Sequence, residues 1–238
     1  MSSGQLTVGT DKPAFPPYFV DDDPTNGKGF ESAVAYAVAD QLGFAKSEVK
    51  WTTVPFNSSY APGPKKFDFD INQISITPAR EKAVDFSEPY YVAPQAVVTG
   101  KGSDLDVSAL ADLKDASIGV QIGTTSLDAV REVVQPSEEP KVFNDSNDVV
   151  KALKQDQVDA IVTDLPTAFY ITAAQVPGSK IVGQFSAPSG DSFGLLLEKD
   201  SKLTECLNGA VQKLKSSGEL QQIADRWMGE AAGAPELR

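Results

Sequence analysis

Histidine is absent from this 238-residue sequence, and cysteine occurs once, as Cys206. A chain without histidine has no His-based catalytic triad, no His-ligated zinc or haem, and lacks the commonest general base. A single thiol forms no intramolecular disulfide and no Cys-rich metal site. We therefore expect the protein to work without a metal or another cofactor.

Basic residues and long apolar runs are also scarce. The 21 lysine and arginine residues are outnumbered by 33 aspartate and glutamate residues, which gives a formal net charge of −12. This deficit argues against nucleic acids as partners, because phosphates bind clustered basic side chains, and against anionic membranes. No apolar run approaches the roughly 20 residues of a membrane span, and no secretory signal opens the sequence. We expect Met1-Ser2-Ser3-Gly4 to be an added start or the trimmed end of a mature chain.

The rest of the composition is that of an ordinary globular protein. Apolar residues make up 41% and charged residues 23%, a balance that can bury a core, and the length fits one large domain or two small ones. Strand and helix patterns alternate along the chain, which predicts an α/β protein with largely parallel sheets. The patterns predict strands at 5–10, 49–54, 67–71, 95–99, 116–120, 142–143, 158–162 and 193–197. They predict helices from 30 to the stop at Gly43, from 127, after a cap at Ser146 or Asn147, and from 203 onward with a break at Gly218. The apolar face of the last predicted helix, from 203 onward, would place Cys206 in the core.

Polar residues follow one buried strand, where ligands of α/β proteins commonly bind. Asn72, Gln73 and Ser75 come directly after that strand, and Arg80 stands a few residues further on. The planar guanidinium of Arg80 suits a carboxylate. The alternative is a surface arginine paired with one of the acidic residues that follow it.

Two more strand ends carry candidate ligand groups. The segment Gly123-Thr124-Thr125-Ser126 begins a predicted helix, where free N–H groups attract anions, although ordinary capping by Thr124 or Thr125 explains the segment better when it is taken alone. Asp164 ends another strand and is either a helix cap or a carboxylate for an ammonium group. Together with Arg80, these features match a small zwitterion such as a free α-amino acid. Phe15, Tyr18 and Phe56 are either core residues or a binding wall.

Several stretches make the chain similar to a known family. It resembles the polar amino-acid solute-binding proteins of ABC importers, which have the type II periplasmic binding protein fold of family 3. The matching stretches are Val8-Gly9-Thr10-Asp11, Gly29-Phe30-Glu31, Asp70 through Arg80, Val84-Asp85-Phe86-Ser87-Glu88-Pro89-Tyr90-Tyr91, Ile118-Gly119-Val120-Gln121, Gly123-Thr124-Thr125, Asp159 through Asp164, and Ser217-Gly218 through Arg226-Trp227.

The resemblance implies a role for each candidate residue. Arg80 would bind the α-carboxylate of the ligand, helped by Thr125, and Asp164 would bind the α-ammonium with Ser75 and the carbonyl of Gln73. The other implied ligand-binding residues are Phe15 and Phe56, which would sandwich the aliphatic part, Thr124 beside the carboxylate, and Asp11, Asn72, Gln73 and Gln121 around the ligand side chain. Cystine, basic amino acids and amide amino acids remain the candidate ligands.

The resemblance also implies an architecture and a location. Two α/β lobes with mixed sheets flanked by helices would be joined by a two-strand hinge, with the ligand in the interlobe cleft. Lobe 1 would comprise residues 1–93 and 188–238, and lobe 2 residues 94–187. We expect a monomer that works in the periplasm or at the cell surface, secreted or lipid-anchored, and delivers its ligand to the membrane subunits of an ABC transporter.

Two alternatives belong to other functional classes. A same-fold enzyme, such as a cyclohexadienyl dehydratase-like protein, would need an acid or lysine near the carboxylate-binding arginine, and Asp11 and Lys12 are the nearby candidates. A ligand-sensing domain of a membrane receptor would be flanked by membrane spans in the full gene. The expected role is binding without catalysis.

Overall fold

The computed structural model describes residues 4–188, 190–229 and 234–238, so most of the expected added or trimmed start lies outside the described residues. The described strands are β1 (Leu6–Thr10), β2 (Val49–Thr53), β3 (Phe69–Asp70), β4 (Val84–Phe86), β5 (Tyr91–Val92), β6 (Gln95–Thr99), β7 (Ile118–Gln121), β8 (Lys141–Phe143), β9 (Ala160–Asp164), β10 (Lys180–Phe185), β11 (Ser192–Phe193) and β12 (Leu196–Glu198). The described α-helices are α1 (Phe30–Gln41), α2 (Phe56–Ser59), α3 (Thr125–Ala129), α4 (Ser146–Lys154), α5 (Leu165–Tyr170), α6 (Thr204–Ser216) and α7 (Glu219–Met228).

The chain divides into two compact units. The first comprises Met1–Val92 and Ser192–Gly229, and the second comprises Ala93–Asp191 and Glu230–Arg238. The expected first lobe included residues 188–238, and it differs from the first unit at the C-terminal end. The difference arises because the backbone N–H of Gln184 donates to the carbonyl of Pro235 at 2.7 Å, and Leu237 packs in the core of the second unit.

The first unit contains a five-stranded sheet in the order β2-β1-β3-β12-β4. The strands β1, β2 and β3 are parallel, whereas β12 runs antiparallel to β3 and β4. The sheet is mixed because the chain returns to this unit after residue 191 and adds β12 between two earlier strands.

The helices of the first unit follow the predicted apolar faces. In α1 the buried face includes Val34, Ala35 and Val38, and the helix stops before Gly43, which has a φ of +85° that favours glycine. Gly218, with a φ of +78°, separates α6 from α7 as predicted. The prediction that Cys206 is buried is wrong. The buried residues of α6 are Leu207, Ala210, Val211 and Leu214, and Cys206 lies one residue off this face, exposed to solvent.

The second unit contains another mixed five-stranded sheet, in the order β10-β6-β9-β7-β8. The strand β6 is antiparallel to β10 and β9, and β7 is parallel to β8 and β9. The mixed α/β class is confirmed, and the simpler expectation of largely parallel sheets is wrong for both sheets. The cap of α4 is Asp145, whose side chain accepts from the N–H of Asp148 at 3.0 Å, rather than the predicted Ser146 or Asn147.

The chain passes from one unit to the other after Val92, after Asp191 and after Gly229. At the first two of these points the segments before and after the crossing are hydrogen-bonded to each other. In the first unit β5 pairs antiparallel with β11, with Val92 opposite Ser192. The next hydrogen bond runs from the N–H of Ala93 to the carbonyl of Asp191 at 2.8 Å, within the second unit.

None of the helices in the described part of the chain combines the length and the apolar composition that a membrane span requires.

Candidate functional site

Arg80 is a buried residue of the first unit. It begins a 3₁₀ turn at Arg80–Lys82, and only 8% of its surface is exposed. Its Nη1 donates to the carbonyl of Ser75 at 2.7 Å, and its backbone N–H donates to Oγ1 of Thr77 at 3.2 Å. The alternative of a surface arginine is therefore wrong, and the basic partner of Asp85 is Lys199, at 2.9 Å.

Two aromatic rings lie against the guanidinium of Arg80. Its central carbon is 4.7 Å from the ring centroid of Tyr60 and 5.5 Å from that of Phe56. Such contacts use the flat face of the guanidinium, whereas its N–H groups donate hydrogen bonds in the plane. Tyr60 was missed in the sequence, although its four-residue spacing from Phe56 is the spacing of one helix face.

Asp11 positions Phe56 in the same unit. One oxygen of Asp11 accepts from the backbone N–H of Phe56 at 3.1 Å, and the other accepts from the N–H of Lys12 at 2.6 Å. Phe15 packs edge-on against Tyr18, with 5.9 Å between the ring centroids. Tyr18 is fully buried and is a core residue, whereas Phe15 is half-buried.

Gln73 is bound by Glu31, a buried acid that the sequence did not indicate as a site residue. The backbone N–H of Gln73 donates to Oε1 of Glu31 at 2.7 Å, and its side-chain amide donates to the other oxygen of that carboxylate. The hydroxyl of Tyr90 donates to Oε1 of Glu31 at 2.5 Å. These bonds fix a backbone with a φ of +49° and engage the nitrogen of the side-chain amide. The sequence feature that could have pointed to Glu31 is an acidic residue among the apolar residues at the start of α1.

Asp70 is a second buried acid of the first unit. It is fully buried, and neither carboxylate oxygen has a hydrogen-bond partner among the described residues. The side-chain nitrogen of the buried Asn72 also has no hydrogen-bond partner among them. Desolvation, reinforced by the charges of Glu31 and Asp11, raises the pKa of Asp70 well above its usual value. Gly9 makes room for this side chain, because a Cβ at Gly9 would lie 2.3 Å from Oδ2 of Asp70.

Thr124, Thr125 and Gln121 lie together in the second unit. Oγ1 of Thr124 accepts from the N–H of Leu127 at 3.2 Å and donates to the carbonyl of Gln121 at 2.8 Å, so Thr124 is the cap of α3. Thr125 is the first residue of α3 and is buried. The side-chain oxygen of Gln121 accepts from the hydroxyl of Ser146 at 2.6 Å.

Asp164 stands at the cap position of α5, but its side chain makes no capping hydrogen bond to that helix. Its Oδ1 accepts from the side-chain amide of Gln95 at 2.9 Å. The oxygen of the same amide accepts from the hydroxyl of Ser126 at 2.5 Å. Asp164 therefore occupies the cap position, as that alternative expected, but its side chain binds Gln95 rather than the helix N-terminus. Gln95 was also missed, although a glutamine that opens a buried strand is an unusual residue there.

The structure thus gathers the predicted site residues into two groups. The first unit holds one group, in which direct contacts link Asp11, Phe56, Arg80 and Ser75. The second unit holds the other, in which Thr124 contacts Gln121 and Asp164 is tied to α3 through Gln95 and Ser126.

Comparisons with known proteins agree with these features. The ArtP protein of Bacillus subtilis (strain 168), an arginine-binding extracellular protein, is 29% identical over 202 residues, which cover 84% of this chain and 77% of ArtP. The L-cystine-binding protein TcyJ of Escherichia coli (strain K12) is 28% identical over 229 residues, which cover 95% of this chain and 83% of TcyJ. A solved structure of an ancestral arginine-binding protein bound to glutamine is 36% identical, with a TM-score of 0.79, and the match covers 95% of this chain and 98% of that chain.

The family itself follows from a match over nearly the whole sequence. The family model of the bacterial extracellular solute-binding proteins, family 3, matches residues 6–230. The type II periplasmic binding protein fold expected from the resemblance is confirmed by the similar solved structures. This chain therefore belongs to the bacterial extracellular solute-binding proteins of family 3.

Proposed function

We propose that the protein captures a free polar amino acid outside the cytoplasmic membrane and delivers it to an ABC importer. The observation that carries this proposal is the buried guanidinium of Arg80, which lies against the rings of Phe56 and Tyr60. A planar fork of N–H donors fixed in this way binds a carboxylate through parallel hydrogen bonds. The similarity to ArtP, an arginine-binding protein, and to TcyJ, an L-cystine-binding protein, supports an amino acid as the source of that carboxylate.

In this proposal the two groups of residues bind one ligand together. Arg80 and Thr125 bind the α-carboxylate, while Asp164, Ser75 and the carbonyl of Gln73 bind the α-ammonium. The remaining proposed contacts come from Phe15 and Phe56 to the aliphatic part, from Thr124 near the carboxylate, and from Asp11, Asn72 and Gln121 to the side chain. Hinge motion at the crossings after Val92 and after Asp191 would complete these contacts, as in periplasmic binding proteins generally.

The energetics of such a site are sufficient for a transport protein. Micromolar affinity requires about 8 kcal/mol at standard state. Hydrogen bonds to charged groups contribute roughly 1.5–3 kcal/mol each, so about six of them supply roughly 9–18 kcal/mol and exceed this requirement. The excess offsets the costs of desolvation and of ordering the ligand.

The ligand side chain is proposed to be polar, with arginine, glutamine and cystine as the first candidates. These three are named in the similar proteins. In this chain the carboxylate of Asp11 and the buried amide nitrogen of Asn72 supply an acceptor and a donor for such side chains.

A thermal-shift screen tests the proposal directly. The protein is heated with each of the twenty amino acids and with cystine, ornithine and citrulline, and positive compounds are titrated by calorimetry. Because a ligand that binds only the folded state stabilises it by mass action, one amino acid or a small group should raise the unfolding temperature. The absence of any shift at millimolar concentrations would overturn the proposal.

Binding without catalysis is favoured by the positions of the two candidate catalytic groups. Lys12 forms an ion pair with Asp22 at 3.5 Å, and its side chain is 62% exposed. Asp11 accepts two backbone hydrogen bonds. Neither group is a buried proton donor next to Arg80. Incubation with prephenate or arogenate should therefore leave both compounds unchanged.

We also propose a location and an oligomeric state. The protein is a monomer in the periplasm or at the cell surface, secreted or lipid-anchored. Light scattering should give a mass near 25.3 kDa, and cell fractionation should recover the protein outside the cytoplasm. Membrane spans flanking this chain in its gene would instead favour the receptor alternative.

A further inference from the structure

Gln95 connects three parts of the second unit from a fully buried position. It is the first residue of β6 and follows the point where the chain enters this unit at Ala93. Its side-chain nitrogen lies 2.9 Å from Oδ1 of Asp164, and its side-chain oxygen lies 2.5 Å from the hydroxyl of Ser126.

The chemistry of these partners fixes the orientation of the amide. An ionised carboxylate only accepts hydrogen bonds, so the NH₂ group of Gln95 must face Asp164. The hydroxyl of Ser126 then donates to the amide oxygen. Rotating the amide by half a turn would break both contacts, and each would leave a buried polar group without its partner. Gln95 is thus held in one orientation and holds its partners in turn.

We propose that Gln95 is a positioning residue of the binding site, which orients the Asp164 carboxylate for the ligand ammonium and fixes the first turn of α3 beside it. This inference rests on the proposed function. Asp164 is at the end of β9 and Ser126 is next to Thr125 in α3, so one buried amide ties the proposed ammonium-binding residue to the proposed carboxylate-binding turn. Gln95 contacts the ligand in neither role.

The test compares L-arginine with 5-guanidinopentanoate, which is the same molecule without the α-amino group. In Gln95→Met the apolar side chain has a similar length and no hydrogen-bonding amide. We expect its affinity for L-arginine to fall about tenfold or more, while its affinity for 5-guanidinopentanoate, which depends on the α3 turn but not on Asp164, falls by a clearly smaller factor. The control is Gln184→Met on the neighbouring strand β10, which should change neither affinity.

Both affinities are measured by competition calorimetry, and thermal unfolding is recorded for every variant. An unchanged affinity of Gln95→Met for L-arginine, or an equal loss for both compounds, would overturn the positioning role. If Gln95→Met does not fold, Gln95→Leu, which also lacks the amide donor and acceptor, replaces it, and the same criterion applies to it. A wild-type protein that binds none of the amino acids in the thermal-shift screen would instead refute the proposed function.

Discussion

The side-chain amide of Gln95 donates a hydrogen bond to the carboxylate of Asp164 over 2.9 Å, inside the second unit. The two residues are 69 positions apart in the sequence and pair directly across β6 and β9. Because this bond engages one oxygen of Asp164, it restricts the rotation of the carboxylate. The candidate ligand group is therefore held by a residue that does not itself need to contact a ligand.

The charge of Asp164 can be separated from its structural bond. In Asp164→Asn the side-chain oxygen still accepts from Gln95, but the negative charge is lost. We expect amino-acid binding to fall by at least about a hundredfold, since a charged hydrogen bond and the attraction to the ammonium are both weakened. The unfolding temperature should change little. Calorimetry and thermal unfolding measure the two effects, and wild-type affinity in this variant would refute the assignment of Asp164.

Asp70 should make stability depend on pH in an unusual direction. Its pKa is raised in the folded protein, so between the unfolded value of 3.8 and the raised value the folded state holds a proton that the unfolded chain releases. The contribution of this group to the free energy of unfolding is therefore largest at low pH and falls as the pH rises through that window. Asp70→Asn removes this dependence, and its stability relative to wild type should increase from pH 5 to pH 8.

Urea unfolding at several pH values measures that difference. The control is Asp40→Asn at an exposed position of α1, which should leave the pH profile close to that of wild type. A constant stability difference between Asp70→Asn and wild type across this range would show that Asp70 is ionised in the folded protein.

Glu31 should be one of the most important polar residues for the stability of the first unit. Glu31→Ala leaves the N–H and side-chain amide of Gln73 and the hydroxyl of Tyr90 without their acceptor. Unsatisfied buried groups cost about 1–3 kcal/mol each, so we expect a loss of about 3 kcal/mol or more in urea unfolding. Tyr90→Phe removes one donor only and should cost about 1 kcal/mol. A loss below about 1 kcal/mol in Glu31→Ala would contradict this interpretation.

The C-terminal segment should stabilise the second unit through Leu237. This side chain is buried in a cluster with Val97, Val120 and Phe185, and its Cγ would lie 2.4 Å from a Cβ at Gly183. Leu237→Ala should cost about 2–4 kcal/mol. Gly183→Ala should be destabilising in the wild type but much less so when combined with Leu237→Ala, because the clash is then removed. Additive losses in the double variant would show that the two residues do not contact.

Local patterns predicted much of the fold because they depend on neighbouring residues. The apolar spacing of α1, the glycine between α6 and α7, and the buried strands β1, β6 and β9 were all readable in this way. The cap of α4 was misplaced by one or two residues because Asp145, Ser146 and Asn147 are all good caps. The antiparallel strands β12 and β10 depend on how distant segments pair, which periodicity does not report.

The same distinction applies to the site. Arg80, Asp164 and Thr125 stand at strand ends or helix starts and belong to recognisable stretches, so the sequence indicates them. Gln95 and Glu31 act through partners 31 to 69 residues away, and only the folded chain shows those partners. Residues that support a site are thus harder to predict than the residues that form it.

The central claim is that Arg80 binds the α-carboxylate of an amino acid. The direct measurement is calorimetry of wild type, Arg80→Lys and Arg80→Ala with L-arginine and with agmatine, which lacks the carboxylate, alongside thermal unfolding of each variant. We predict that wild type binds L-arginine far more tightly than agmatine, that Arg80→Lys binds L-arginine weakly, and that Arg80→Ala remains folded without measurable binding. Wild-type affinity for L-arginine in a folded Arg80→Ala variant would contradict the claim.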